Sequence, residues 1–163
     1  MENKLLFTKR GYNKLKRKID ELTKKLNDLQ AQTAHAAEVG GNQYHDNASY
    51  EMLVIEIRGI DHRLSEAHNI LNRAVIIASP KNTDQVVIGT QVTILRNGKQ
   101  AVWEIAGYGE SDPDSRLLAY NTPLASLLIG KHKGDCTEGQ IAGKQVKIKI
   151  LEIALGVKNE DEK

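Results

Sequence analysis

The sequence predicts an α+β protein made of two parts, an N-terminal antiparallel α-helical hairpin followed by a smaller α+β module. Three observations predict it. Apolar residues in the first half recur at heptad spacing in two successive runs, paired glycines separate those runs, and after Pro80 the pattern changes to strand-type alternation around an Asn-Gly turn. The composition agrees, because aromatics make up only 4% of the 163 residues, which is too few for one large compact core.

The first run is Tyr12, Leu15, Ile19, Leu22, Leu26 and Leu29, at spacings of 3, 4, 3, 4 and 3. That is a helical seam, and no strand places side chains this way. It fades through Thr33, Ala36 and Ala37 and meets Val39-Gly40-Gly41-Asn42, a helix stop and turn signal. The second run, Tyr50, Leu53, Ile57, Ile60, Leu64, Ala67, Leu71 and Ala74, repeats the same steps, with Asp46 or Asn47 placed to cap it. A link this short predicts antiparallel packing. At 1.5 Å per residue, a helix from Tyr12 to Ala37 is about 40 Å long, so residues 1–78 are expected to form a coiled-coil finger with its turn as the tip.

Ser79-Pro80-Lys81-Asn82-Thr83 breaks the pattern, and 79–85 reads as a linker. A globular domain is expected over 86–157, with a charged tail at 158–163. Within it, Val92–Leu95 and Ala101–Ile105 flank the Asn97-Gly98 turn. Thr122 caps a short helix with Pro123 in its first turn and Gly130 beyond its end. In Lys144–Ile150, Val146, Ile148 and Ile150 alternate towards a core while the lysines face water.

Charge is strongly polarised along the hairpin. Residues 4–25 carry nine Lys/Arg (Lys4, Lys9, Arg10, Lys14, Lys16, Arg17, Lys18, Lys24, Lys25) against Asp20 and Glu21. Residues 26–57 carry no Lys or Arg and five acids, Asp28, Glu38, Asp46, Glu51 and Glu56. Folding the hairpin puts the basic stretch at its base, beside Arg63 and Arg73, and the acidic stretch around its tip. Much of this charge serves simply to solvate the outer face of a coiled coil. No run reaches the roughly 20 apolar residues of a membrane span and no signal-peptide pattern opens the chain, so a cytoplasmic protein is expected.

Catalytic chemistry of its own is not indicated. The sequence has no Gly-x-Ser-x-Gly and no phosphate-binding glycine loop, and its five histidines lack zinc-ligand spacing. The single cysteine, Cys136, reads as a small buried or half-buried thiol. An exposed hairpin offers no concavity, but polar side chains at its end can enter another protein's site. The tip residues Gln43, Tyr44, His45, Asp46 and Asn47 are therefore the candidates. Asp46 is the best single one, since Mg²⁺ takes one or two carboxylates and keeps several waters. Glu38 is a second carboxylate close to the tip, with His35 and His45 as polar alternatives. N-capping alone also accounts for an Asp at position 46.

Four motifs in order resemble the bacterial transcript-cleavage and elongation factors GreA and GreB over essentially the whole chain. They are Leu6-x-x-x-Arg10-Gly11-Tyr12-x-x-Leu15, Asp46-Asn47-Ala48-Ser49-Tyr50, Arg73-Ala74-Val75-Ile76, and Asn121-Thr122-Pro123-Leu124-Ala125-x-x-Leu128-Ile129-Gly130-Lys131. The resemblance implies a finger that enters the secondary channel of RNA polymerase and a C-terminal domain of FKBP-like fold that docks on the channel rim. It implies that the polymerase is the enzyme and that acidic tip residues help hold Mg²⁺ shared with its active site while backtracked RNA is cleaved. Asp46 matches the second acid of that tip. Thr122, Pro123, Leu124 and Ala125 match the docking stretch, and Glu110-Ser111-Asp112 resembles the acidic loop of the same face. The chain departs from the family pattern in three ways: the tip Gly41–Ala48 is one residue longer, Asn42 or Gln43 stands where the first tip acid belongs, and basic residues partway to the tip are absent.

A monomer that binds the RNA polymerase elongation complex, with no tightly bound cofactor, is expected. Three other readings are compatible with the residues. One is a non-cleaving regulator that occupies the channel. Another is a prolyl isomerase or chaperone using Trp103, Tyr108 and Tyr120. The last is a nucleic-acid-binding coiled coil using Lys14, Arg17, Lys18, Lys24 and Lys25 at the base of the finger.

Overall fold

The structure, a computed structural model, describes residues 3–40 and 48–157. It divides into two units, Asn13–Arg73 and a second composed of Met1–Tyr12 with Ala74–Lys163.

The first unit is the helical hairpin, formed by helix α1 (Lys9–Gly40) from residue 13 onward and helix α2 (Ala48–Arg73). Its seam is the one the spacing predicts. Ile19, Leu26, Leu29, Ile60 and Ala67 are buried, and Leu22, Leu53, Ile57 and Leu64 pack around Leu26, Leu29 and Ile60. Each large apolar side chain taken out of water here contributes roughly 1.5–3 kcal/mol to holding the hairpin together. Where the basic stretch gives way to the acidic one, Lys25 Nζ lies 2.7 Å from Glu56 Oε1 across the two helices.

Both ends of the predicted finger, 1–78, belong instead to the globular unit. Strand β1 (Leu5–Phe7) pairs in parallel with strand β2 (Ala74–Ile76), with Leu5 opposite Ala74 and Phe7 opposite Ile76. Parallel neighbours need a long crossover, and the whole hairpin is that crossover. Leu5 and Phe7 are buried, and Tyr12, which the heptad pattern assigns to the seam, meets Phe7 edge-on at 6.5 Å. Ala74 continues the heptad spacing but lies in β2 rather than in the helix.

The main sheet has the order β5-β4-β3-β7-β6, from strands β3 (Thr90–Arg96), β4 (Lys99–Ala106), β5 (Leu117–Ala119), β6 (Cys136–Ile141) and β7 (Lys144–Leu155). All pairings are antiparallel except β4 with β5. Asn97 and Gly98 both have positive φ, 51° and 74°, as the two-residue hairpin turn requires. Helix α3 (Pro123–Leu128) follows Thr122, and Ala125 and Leu128 enter the core with Val92, Ile94, Ile105, Val146, Ile148 and Ile150. Val86 is also fully buried, and its backbone is bonded to Gly130 and Lys131.

The register of β7 against β3 shifts once. Thr93 faces Glu152 and Ile94 faces Ile150, which leaves Leu151 as the extra residue of a bulge. Without that bulge the alternation that buries Val146, Ile148 and Ile150 would turn Glu152 inward. With it, Ile153 points into the core instead.

Cys136, expected to be at least half buried, is exposed at the start of edge strand β6. Just before it, the backbone N–H of His132 donates to Asp135 Oδ2 at 2.8 Å and holds that carboxyl below its ordinary value of 3.8. A depressed folded-state pKa stabilises the fold above the ordinary value and loses that contribution as pH falls through the folded value. Asp135→Asn is therefore expected to be less stable than the parent at pH 7, and the gap should close below about pH 3.8, followed by thermal melts across pH. Among the described residues no helix is long and apolar enough to cross a membrane.

Candidate functional site

The residues the sequence singles out fall in both units. In the hairpin, Gln43, Tyr44, His45, Asp46 and Asn47 lie outside the described residues. Glu38 is exposed in the last turns of α1. Among the described residues no group of three or more His, Cys, Asp or Glu is placed to hold a metal ion, so Glu38 does not form a metal site with other described groups. Asp28, Glu51 and Glu56 are exposed on the distal half, and Lys14, Arg17, Lys18, Lys24 and Lys25 are exposed on the proximal half. Charge segregation is thus a property of the hairpin surface and is not hidden in its seam.

In the globular unit, the stretch Thr122–Ala125 is the start of α3. Thr122 Oγ1 accepts from the Ala125 N–H at 3.3 Å and donates to the Ala119 carbonyl at 2.9 Å, while Pro123 supplies the first helical residue without an N–H to satisfy. Ala125 is fully buried, Leu124 is half-buried, and Pro123 is exposed. Leu124 packs against the core, which leaves Pro123 as the exposed residue of Pro123–Ala125. Asp112 is half-buried and organises its own loop: Oδ1 accepts from the Asp114 N–H at 3.1 Å and Oδ2 from the Ser115 hydroxyl at 2.6 Å.

Glu110, grouped by resemblance with an exposed acidic loop, is only 7% exposed. Its carboxylate accepts the Thr8 hydroxyl at 2.8–2.9 Å, Arg10 Nε at 3.2 Å and the Gly107 N–H at 2.8 Å. Thr8 Oγ1 in turn accepts from the Gly11 N–H at 3.0 Å and so caps α1. Arg10 also reaches Glu104 Oε1 at 3.4 Å. A Cβ on Gly11 would come within 2.5 Å of the Glu110 carboxyl carbon, and one on Gly107 within 2.7 Å of the Thr8 nitrogen. The Leu6-x-x-x-Arg10-Gly11-Tyr12 motif thus has a structural purpose. Arg10 pairs with the buried acid, Gly11 lets it approach, and Tyr12 packs on Phe7. Sequence reasoning gave Glu110 to the surface, and the available signal was Gly107, three residues before it, which marks a close backbone approach.

Trp103, Tyr108 and Tyr120 have separate contacts. Arg116 lies 5.7 Å from the Trp103 ring, Tyr108 packs on Phe7 at 5.8 Å, and the Tyr120 hydroxyl accepts the Leu6 N–H at 3.3 Å. Each of the three rings is engaged in a structural contact.

Comparison with known proteins agrees with this layout. The family model for the C-terminal part of the transcription elongation factors GreA and GreB matches residues 80–155. The transcription elongation factor GreA of Nitratiruptor sp. is 31% identical over 156 residues, 94% of each chain. That of Thermotoga neapolitana is 29% identical over 92% of this chain and 97% of its own. Among solved structures, the GreA factor homolog 1 (Gfh1) protein of Thermus thermophilus aligns with a TM-score of 0.44 at 19% identity, over 93% of this chain and 99% of that one. With a GreA of matching length at 31% identity and both parts of the fold in place, the chain belongs to the GreA/GreB family of transcription elongation factors.

Proposed function

We propose that this elongation factor binds the RNA polymerase elongation complex, inserts its hairpin into the secondary channel, and promotes cleavage of backtracked RNA by the polymerase. The observation that carries the reading is the hairpin itself, a two-helix unit closed by its own seam whose distal stretch, 26–57, bears acids and no Lys or Arg. Such a surface suits a basic wall and repels naked nucleic acid. In this reading the bond-breaking chemistry belongs to the polymerase. Asp46 is the residue that would offer a carboxylate to Mg²⁺ shared with the polymerase, with Glu38 as a second acid. On the globular unit, Pro123 and Leu124, positioned by the Thr122 cap and by buried Ala125, supply the contact with the rim, with Asp112 on a neighbouring loop.

A second reading, a non-cleaving regulator of the same channel, is favoured by one specific observation. Asn42 or Gln43 occupies the place of the first tip acid, so the stretch 41–47 brings a single carboxylate, Asp46. Each anionic ligand lost weakens charge neutralisation at a divalent cation.

Cleavage of 3′-labelled RNA in a deliberately backtracked complex of the cognate polymerase separates the two. Under the first reading the parent protein shortens the RNA and Asp46→Ala loses at least tenfold in rate. If the parent is inert or slows extension while Gln43→Asp gains cleavage, the regulator reading replaces it. Failure to bind the polymerase at all would overturn both.

A further inference from the structure

Two hairpin turns of the main sheet lie at the same end of the globular unit. Arg96, the last residue of β3, stands opposite Ile148, so β7 from Lys144 to Lys147 runs on past the Asn97-Gly98 turn, and the turn between β6 and β7 follows Ile141. The stretches around these turns, 95–100 and 136–149, hold five cations, Arg96, Lys99, Lys144, Lys147 and Lys149, against a single acid, Glu138. The four lysines are exposed. Lys147 is paired, its Nζ 3.3 Å from Glu138 Oε1, and the other four cations enter no ion pair among the described residues.

The fold itself does not call for these charges. Val146, Ile148 and Ile150 hold β7 on the core, and any polar side chain would solvate the positions between them. Lysines on an edge strand guard against unwanted pairing, but β7 lies between β3 and β6. Lys147 and Lys149, two residues apart on one face of the strand, repel each other. Across the sheet Lys149 is flanked by Cys136 and Leu95, and Leu95 in turn by Gln100, so that row supplies no anion.

We propose that this end of the sheet binds the phosphate backbone of duplex DNA. A duplex presents one negative charge per roughly 1.7 Å of its axis, which matches unpaired cations spread over two neighbouring turns. Neither stretch contains a Phe, Tyr or Trp on which an unpaired base could stack, so the surface suits a duplex rather than a single strand. Lysines contact phosphate as point charges and read no base edges, which makes the binding independent of sequence. With four phosphates neutralised, log affinity should fall against log salt with a slope of about −3.6, or about fiftyfold between 50 and 150 mM. The contact uses none of the residues assigned to the polymerase, so it stands independently of that reading.

Fluorescence anisotropy of a labelled duplex of about 20 bp, titrated with the full chain at several salt concentrations, tests it. The parent is expected to bind with a micromolar dissociation constant at about 50 mM salt. Lys99→Gln/Lys144→Gln/Lys149→Gln should weaken binding at least tenfold and flatten the salt slope by about 2.5. The same three positions changed to arginine should keep the parent affinity, which separates lost charge from lost fold. Lys14→Gln/Arg17→Gln/Lys18→Gln, on the hairpin, should lose much less than the sheet variant. A parent that does not bind at low salt overturns the proposal. So does a glutamine sheet variant that binds like the parent, an arginine variant that loses as much, or a hairpin variant that accounts for the affinity. A single strand of the same length that binds more tightly, or polyglutamate that displaces the label as well as unlabelled duplex does, overturns it too, the last by marking a surface for acidic protein.

Discussion

Glu110→Ala is expected to destabilise the globular unit by about 3–5 kcal/mol, the loss that follows when one partner of a buried ion pair is removed. The carboxylate is 6% exposed and receives the Thr8 hydroxyl, the Gly107 N–H and Arg10 Nε, so its removal strands three donors at once. Arg10 keeps a second carboxylate, Glu104 at 3.4 Å, which sets the expected loss nearer the lower figure. Glu110→Gln retains the side-chain volume and an acceptor oxygen but loses the charge, and it should cost clearly less than alanine. Urea unfolding measures both. Gly11→Ala supplies a control from the other side of the contact, since its methyl group would press on the Glu110 carboxyl. In the double variant Glu110→Ala/Gly11→Ala that clash is gone, so the two losses should sum to more than the measured total. Additive losses would mean that Gly11 and Glu110 are not in the contact described.

Much of this fold was legible because it rests on periodicity. The helical seam from Ile19 to Leu29 and from Leu53 to Ala67 is a plain 3-4 repeat, and the β3–β4 turn carries the Asn-Gly pair that positive φ at two positions favours. The Thr122-Pro123 cap was equally clear. Where local signals were weak or absent, the reading failed. The turn between β6 and β7 uses Ala142 at φ 50° before Gly143, and an alanine in the left-handed region gives no turn signal. The Leu151 bulge is invisible in a strand that alternates cleanly up to Ile150. Strands β1 and β2 are three residues each and pair across the entire hairpin, so their partnership is non-local and no sequence window contains it. The same separation hid the role of Glu110, whose partners Thr8 and Arg10 lie 102 and 100 residues away. The exposed acids of the distal stretch and the Thr122 cap were legible in the sequence. The geometry of the tip, including Asp46, lies outside the described residues.

Ile60→Ala should destabilise the hairpin by about 2–5 kcal/mol, the range for a large-to-small change at a closed core position. Ile60 is 0% exposed, and Leu22, Leu26, Leu29, Leu53, Ile57 and Leu64 form the cluster to which it belongs, so deleting its branches opens a cavity in the apolar seam that joins the two helices. Gly59 precedes it in α2, so local helix propensity there is poor and tertiary packing must supply the stability. The chain provides separate reporters. Far-UV circular dichroism at the helical minimum follows mainly α1 and α2, whereas Trp103, the single tryptophan, sits in β4 of the globular unit. In Ile60→Ala the helical signal is expected to melt at lower temperature while Trp103 fluorescence keeps the parent midpoint. In Glu110→Ala the Trp103 transition should move. If Ile60→Ala lowers both transitions together, the hairpin and the globular unit unfold as one cooperative body, and the seam then stabilises the β1–β2 pairing as well as the helices that join those strands.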